Sequence, residues 1–307
     1  MATQLTVRKR GLAPPEGRRR SPLARRDAVA GMLFVLPCFA LFLVFRFGPA
    51  VAGSLLGFFD YQVGGSAKWR GLANFRRLWH DPVFWSALKV TLLYALFAVP
   101  TTIAASLGMA LLTRRGFRGV RFFRSVFFLP VITSLVLTGA IFRWVFSAGG
   151  PWSTVMGWVG LGHTAWLEDT TMVIPALALV GVWSRFGYGM LILLAALQNV
   201  PRELEEAATM DGAGPWQRFR YIVFPQLRPA LFFLAVIETT MSFQAFDSVY
   251  MMTSGGPAHA SYTLVFDLYE QGFKYMDFGY SGAIGLALFV MTLVVALIQR
   301  LILGRDK

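Results

Sequence analysis

The chain has 307 residues, of which 56% are apolar and 28 are phenylalanine, a composition that argues against an ordinary soluble core. Its net charge of +13 has the sign for nucleic acid, but no basic surface interleaved with aromatic residues accompanies it, and that partner is set aside. The single cysteine, Cys38, rules out an internal disulfide.

In chain order, residues 1–27 form an Arg- and Pro-rich basic tail (VRKR, EGRRR, ARR), expected to be disordered. Apolar runs then recur at residues 28–59, 84–112, 122–146, 171–197, 229–253 and 280–303. Each is long enough to cross about 30 Å of hydrocarbon, which takes roughly 20 residues. The expectation is an all-α polytopic membrane protein with six spanning helices. The first run follows basic residues, as a secretory signal would, but it is too long and lacks a small-residue cleavage site. It reads as an uncleaved helix, with Cys38 inside the membrane in a packing role.

Positive charge alternates between the connections. The second holds Arg114, Arg115, Arg118, Arg121 and Arg124, the fourth Arg202, Arg218, Arg220 and Arg228, and the C-terminus Arg300, Arg305 and Lys307. The first, third and fifth hold only Lys68, Arg70, Arg76, Arg77 and Lys274. This bias predicts that both termini are cytoplasmic. Arg46 and Arg143 fall near outer helix ends, where long cations snorkel to the interface. His80, His163 and His259 lie far apart on successive outer connections, so no metal cluster follows.

Catalytic signatures are missing. A phosphate-cradling loop needs a lysine preceded by glycine, and none of Lys9, Lys68, Lys89, Lys274 and Lys307 has one. No G-x-S-x-G elbow or H-E-x-x-H pair occurs. The chain reads as non-catalytic, with any ATP bound by another subunit.

The fourth connection is the most informative segment. Pro201 suits the first position of a helix, and Arg202 to Met210 places Leu204, Ala207 and Ala208 on one side, with Glu203 and Glu206 on the other. Gly212 and Gly214 allow a sharp turn. A second short helix, residues 215–222, presents Trp216 and Phe219 before Pro225 breaks it. On physical grounds alone, two readings stand: a docking device for a protein surface, or an amphipathic loop on lipid headgroups.

The spacing Glu206-Ala207-Ala208, three residues, Gly212, nine residues, Ile222, one residue, Phe224-Pro225 resembles the EAA loop of binding-protein-dependent ABC importer permeases. Phe224 stands where that family usually has leucine. Further marks are similar to its sugar-permease branch: GLANFRRLWHDPVFW, FRSVFFLP, VWSRFGYGMLILLAALQNVPRELEEAA and FDSVYMMTSGGP. The resemblance implies a type I ABC importer permease fold over residues 28–307, with residues 201–225 as the coupling loop. It implies Glu206, Ala207, Ala208, Asp211 and Gly212 as ATPase-docking and hinge positions. It also implies a second permease subunit, two ATPase subunits or domains that use ATP and Mg, an extracytoplasmic binding protein, and a sugar or sugar-derivative substrate. The chain itself would bind no cofactor or metal and would lie in a bacterial or archaeal cell membrane.

Ionisable residues within spans are costly and point to function. Glu238 lies in the fifth run, with Ser242 at i+4 and Ala245 at i+7 on its face; Arg185 and Tyr188 lie three apart in the fourth, beside Trp183. Similarity to maltose-type permeases carries substrate contacts to Trp183, Ser184, Arg185, Tyr188, Glu238 and Ser242. Arg185 replaces a glycine of those relatives and Glu238 a serine, which implies a substrate other than maltose. A cationic Arg185 permits an anionic sugar and Glu238 an amino sugar, and their proximity would cancel either preference. Structural pairing of Arg185 with Glu238, or of Arg185 with a carboxylate of the partner subunit, is the alternative. Asp247 and Gly255-Gly256-Pro257 fall at the outer mouth. Two other functions compete: an ion-coupled secondary carrier with Glu238 as proton site, and a membrane scaffold without transport.

Overall fold

The computed structural model describes residues 22–62, 64–114, 116–160 and 165–303. Most of the basic tail, Arg115, His163, Arg305 and Lys307 lie outside the described residues. The chain divides into two units, Met1–Ala52 and Gly53–Lys307. In the first, helix α1, Pro22–Phe42, leads through a widened π-turn at Leu43–Phe47 into α2, Gly48–Leu56. Its large apolar side chains are exposed, as suits lipid-facing surface.

The second unit opens with a two-residue ribbon, β1 (Phe59–Asp60) against β2 (Lys68–Trp69), antiparallel with Phe59 opposite Trp69. Asn74, on the short helix α3 (Ala73–His80), ties this ribbon down by donating to the carbonyls of Gly57 and Phe59. Then come α4 (Pro82–Arg114), α5 (Val120–Phe128), α6 (Leu135–Val145) and α7 (Pro151–Trp158). They are followed by α8 (Val173–Gln198), α9 (Arg202–Met210), α10 (Pro215–Arg218) and α11 (Phe224–Phe243). The chain closes with α12 (Asp247–Met252), α13 (Leu264–Tyr269) and α14 (Phe278–Leu303).

Among the described residues, five helical runs are long and apolar enough to span a membrane: Val29–Leu56, Pro82–Arg114, Val173–Gln198, Pro215–Phe243 and Phe278–Ile302. The third expected span is not one helix. Val120–Ile132 and Leu135–Val145 meet at a bend of 97°, and the count reaches six only if that pair is taken as one span. Pro130 opens a tight turn of 3-10 geometry over Leu129–Ile132, after which Thr133 and Ser134 adopt extended backbone, so the α-helical ladder cannot continue.

Pro225 does not break the helix expected to stop there. A π-turn at Phe219–Val223 joins α10 to α11, closed by a bond from the Phe224 N–H to the Phe219 carbonyl. The same device precedes Pro49, where the Gly48 N–H bonds the Leu43 carbonyl. In both places the i→i+5 turn shifts backbone carbonyls just before a residue that cannot donate, and the helix runs through its proline. At its far end α11 stops at Phe243, ten residues earlier than the expected 253, and α12 is separate. Pro201 sits one residue before α9 with extended ψ, as its cap and not as its first helical residue.

α8 is the central helix, its buried residues distributed around it from Val173 to Leu197. α4 lies along it through a face of small and hydroxyl side chains: Ala87, Thr91, Ala98, Thr102, Ser106 and Ala110. Such a face lets backbones approach closely in a bilayer, where packing and interhelical hydrogen bonds drive association. Ser106 Oγ donates to the Phe186 carbonyl at 3.0 Å. A methyl group at Gly189 would lie 2.9 Å from Ser106 Cβ, and one at Gly187 would lie 3.0 Å from the Phe127 carbonyl carbon.

Candidate functional site

The two charged residues singled out within the spans face each other. Arg185 on α8 donates from Nε to Glu238 Oε2 on α11 at 2.9 Å. Glu238 is 1% exposed, and the guanidinium at contact distance offsets the cost of burying its carboxylate. The Tyr94 hydroxyl of α4 stands against the Gly181 backbone in electrostatic contact with the guanidinium, so three helices meet here. Only a glycine at 181 leaves room for that phenol.

The pair is flanked by unmet hydrogen-bonding capacity. Arg185 Nη2 and Ser242 Oγ are buried and make no hydrogen bond among the described residues. Ser242 follows Glu238 by one helical turn and shares its face. The other candidates behave differently. Ser184 donates to the Gly181 carbonyl of its own helix at 2.9 Å. Trp183 packs on Phe142 of α6 with ring centroids 5.2 Å apart, and Tyr188 is exposed on α8. The structure thus joins Arg185 and Glu238, with Ser242 one turn away, and spends Ser184 on its own backbone. Tyr94 escaped the sequence reading. Its signal was its place in the spacing of the small and hydroxyl face of α4, between Thr91 and Ala98.

At one end of α4, a buried polar cluster ties three elements. Asp267 on α13 has no measurable exposure; it accepts from Tyr262 Oη and Gln271 Nε2, while its Oδ2 has no partner among the described residues. Burial pushes its carboxyl up to about 6, helped by the nearby carboxylates of Asp81 and Glu270. Burial pushes the Tyr262 phenol upward, helped by the carboxylates of Asp267 and Glu270 beside it. Tyr280 donates to Asp81 Oδ2 at 2.6 Å. Nearby, a cavity of about 330 Å³ is lined by Arg143, Glu168, Met252, Gly256 and Pro257 among others. Asp247 begins α12, and Gly255 takes a left-handed φ of 81° next to the cis bond Gly256–Pro257.

At the opposite end of α4, Glu206, Ala207, Asp211 and Gly212 are exposed on α9 and its following turn, and Ala208 is half-buried. Gly212 has φ 79°, whereas Gly214 has φ −68°, so only the first uses a glycine's freedom. Arg114, the last residue of α4, forms a two-pronged ion pair with Glu205 of α9. That pair was not anticipated, because its members lie 91 residues apart.

Long apolar helices packed through glycines, a buried ion pair between two of them and a short exposed helix at one end are the parts of a polytopic membrane permease. Residues 102–305 match the family described as binding-protein-dependent transport system inner membrane component, and the chain belongs to that family. It is 34% identical over 286 residues to the lactose transport system permease protein LacF of Rhizobium radiobacter, covering 91% of this chain and 96% of the relative. It is 30% identical over 284 residues to the sulfoquinovosyl glycerol transport system permease protein SmoG of Agrobacterium fabrum, covering 91% and 92%. Its fold is similar to a chain of a solved bacterial ABC transporter involved in the import of alginate, with TM-score 0.78 at 21% identity, covering 95% and 100%. The chain has the ABC importer permease fold and is a non-catalytic inner membrane subunit.

Proposed function

We propose that this chain is one of two membrane subunits of an ATP-driven importer that translocates a sugar or sugar derivative delivered by an extracytoplasmic binding protein. Of the two ATPase subunits or domains, which use ATP and Mg, one docks on α9 and its turn through Glu206, Ala207, Ala208, Asp211 and Gly212. The observation that carries this reading is the exposure of that helix at the end of a bundle enclosing a buried ion pair. A docking surface and a polar interior are what an externally powered passage requires. Both termini face the cytoplasm of a bacterium or archaeon, in keeping with the charge bias.

The sugar class rests on relatives named for lactose and sulfoquinovosyl glycerol. Ser242 Oγ, without a hydrogen-bond partner among the described residues, and the Arg185 guanidinium beside the Tyr94 hydroxyl suit a hydroxylated ligand. Glu238 acts mainly by holding Arg185 in place, with Trp183 and Tyr188 as aromatic surfaces further along the path and Ser184 buried beside them. The family match and the relatives named as transport system permease proteins favour this reading over the ion-coupled alternative.

Affinity purification from native membranes in mild detergent, with partners identified by mass spectrometry, tests the proposal. Stoichiometric recovery of an ATPase and a second permease is expected. Recovery of the chain alone, under conditions that preserve known complexes, would defeat it.

A further inference from the structure

We infer that the Arg114–Glu205 ion pair is the tie by which the first short cytoplasmic helix moves α4, making α4 the strut that carries ATPase motion to the Arg185–Glu238 pair. The inference rests on the permease reading and adds to it a route and two positioning residues.

The geometry is specific. Arg114 Nη1 donates to Glu205 Oε2 at 3.2 Å, and Nη2 pairs with Oε1, so guanidinium and carboxylate meet fork to fork. Two parallel bonds resist rotation as well as separation, and such a joint transmits pull and push alike. A docking contact through alanines transmits push alone. The joint also extends to the second short helix: Thr209 Oγ1 donates to the Glu205 carbonyl, and Arg218 Nη1 donates to Thr209 Oγ1, each at 2.7 Å. Both limbs of the Gly212 turn are thereby linked to the end of α4. Arg124 fastens the same end, its Nη2 donating to the Thr113 carbonyl at 2.6 Å.

The far side of the route is equally defined. From Arg114 to Tyr94, α4 runs about 30 Å at about 1.5 Å per residue, and Tyr94 stands against the guanidinium of Arg185. Three residues further, Thr91 Oγ1 accepts from the Leu264 N–H at 3.0 Å, at the start of the α13 helix that carries Asp267. One helix therefore touches the coupling loop, the buried pair and the outer cluster. Both members of the tie are 24% exposed, partly buried at the joint between α4 and α9. Its geometry suits transmission better than reinforcement.

The test uses the assembled complex with Cys38→Ser and spin labels on cysteines placed at Leu96 of α4 and Phe289 of α14, both exposed. Distances are measured by pulsed electron paramagnetic resonance without nucleotide and with ATP, Mg²⁺ and vanadate. A nucleotide-dependent shift is expected in the otherwise wild-type chain. It should shrink by about threefold or more in Arg114→Gln and Glu205→Gln, a size expected for loss of one link in a coupled network. ATP hydrolysis should persist in both. The exchange Arg114→Glu with Glu205→Arg should restore the shift, a rescue that a role of either residue alone, such as docking by Glu205, would not produce; melting temperatures close to wild type in both glutamine variants separate transmission from reinforcement. Undiminished shifts in both glutamine variants would overturn the inference, as would an exchange no better than the single changes or a wild type that does not move. Failure to recover any ATPase with the chain would instead overturn the permease reading itself.

Discussion

The molecule uses the same chemistry twice, in two solvents. Arg185–Glu238 joins α8 to α11 with its carboxylate 1% exposed, whereas Arg114–Glu205 joins α4 to α9 with both side chains 24% exposed. The two guanidiniums are similarly placed, Arg185 at 21% and Arg114 at 24% exposed, so the pairs differ in their carboxylates. Taking Glu238 fully out of water costs several kcal/mol in general, which only close pairing offsets, whereas Glu205 keeps part of its hydration. The difference teaches that depth assigns the role. The pair with the deeply buried carboxylate defines the interior and tolerates no loss of a member, while the partly hydrated pair is placed to carry motion.

The sharpest way to break this comparison is to remove one charge at depth. Glu238→Ala leaves Arg185 uncompensated, a change that costs about 3–5 kcal/mol where a pair is fully buried. We expect little folded complex by size-exclusion chromatography of a fluorescent fusion. Glu238→Gln should assemble better and change which sugar is taken up. Replacing both residues, Arg185→Met with Glu238→Leu, should recover more folded protein than Glu238→Ala and yet fail to transport. If the double replacement folds no better than the single one, the desolvation account is wrong.

Next in size is the packing that brings α8 close enough for the pair to form. A side chain at Gly187 meets the backbone of Phe127 and Phe128, which cannot swing aside as a side-chain tip would. Gly187→Leu should lower the melting temperature, at a cost of about 1–3 kcal/mol for overpacking. Gly108, which meets nothing within 4 Å, should accept alanine without loss, and equal losses at the two positions would contradict the packing argument.

A smaller thermodynamic effect is expected at Gly212. Its φ of 79° is strained for any residue with a Cβ, by about 1–2 kcal/mol, and a side chain there projects into open space. Gly212→Glu should therefore stay in the membrane while uncoupling ATP hydrolysis from transport. Normal substrate-stimulated uptake by that variant would remove Gly212 from the coupling surface.

The last effect depends on pH and concerns a carboxylate with no cation at contact. Burial lifts Asp267 from the ordinary 3.8 to about 6, so the native state holds its proton more tightly than the unfolded chain does. Between those values stability falls as pH rises, and above about 6 the full cost of the charge is present. Tyr262, Glu270, Gln271, Asp81 and Tyr280 surround the group and supply no compensating cation. Asp267→Asn should flatten the pH dependence of thermal stability and raise the melting temperature at pH 7.5. An unchanged profile would show that the carboxylate is better solvated than its burial implies.

Much of this was legible along the chain. Run lengths marked five apolar helices, and the Pro201 start and the glycine at 212 marked the short helix α9 and its turn, because both signals are local. The bend after Pro130 and the passage through Pro225 were not, since a proline's effect depends on whether the preceding turn widens. Arg185 and Glu238 were conspicuous as charges among apolar residues, yet which partner each would find depended on the rotation of α8 against α11. Tyr94 and Arg114–Glu205 lay further out of reach, because their contacts are set by the long α4–α8 interface and not by any neighbouring residue.

The central claim is that ATP, not an ion gradient, drives transport through this subunit. The direct measurement is uptake of radiolabelled sugar into proteoliposomes holding the purified complex, using the sugar found on its copurified binding protein. ATP is enclosed or withheld, and ionophores are present or absent. We predict uptake that requires ATP and the binding protein and survives ionophores. Uptake that proceeds without ATP and collapses when ionophores dissipate the gradient would contradict the account.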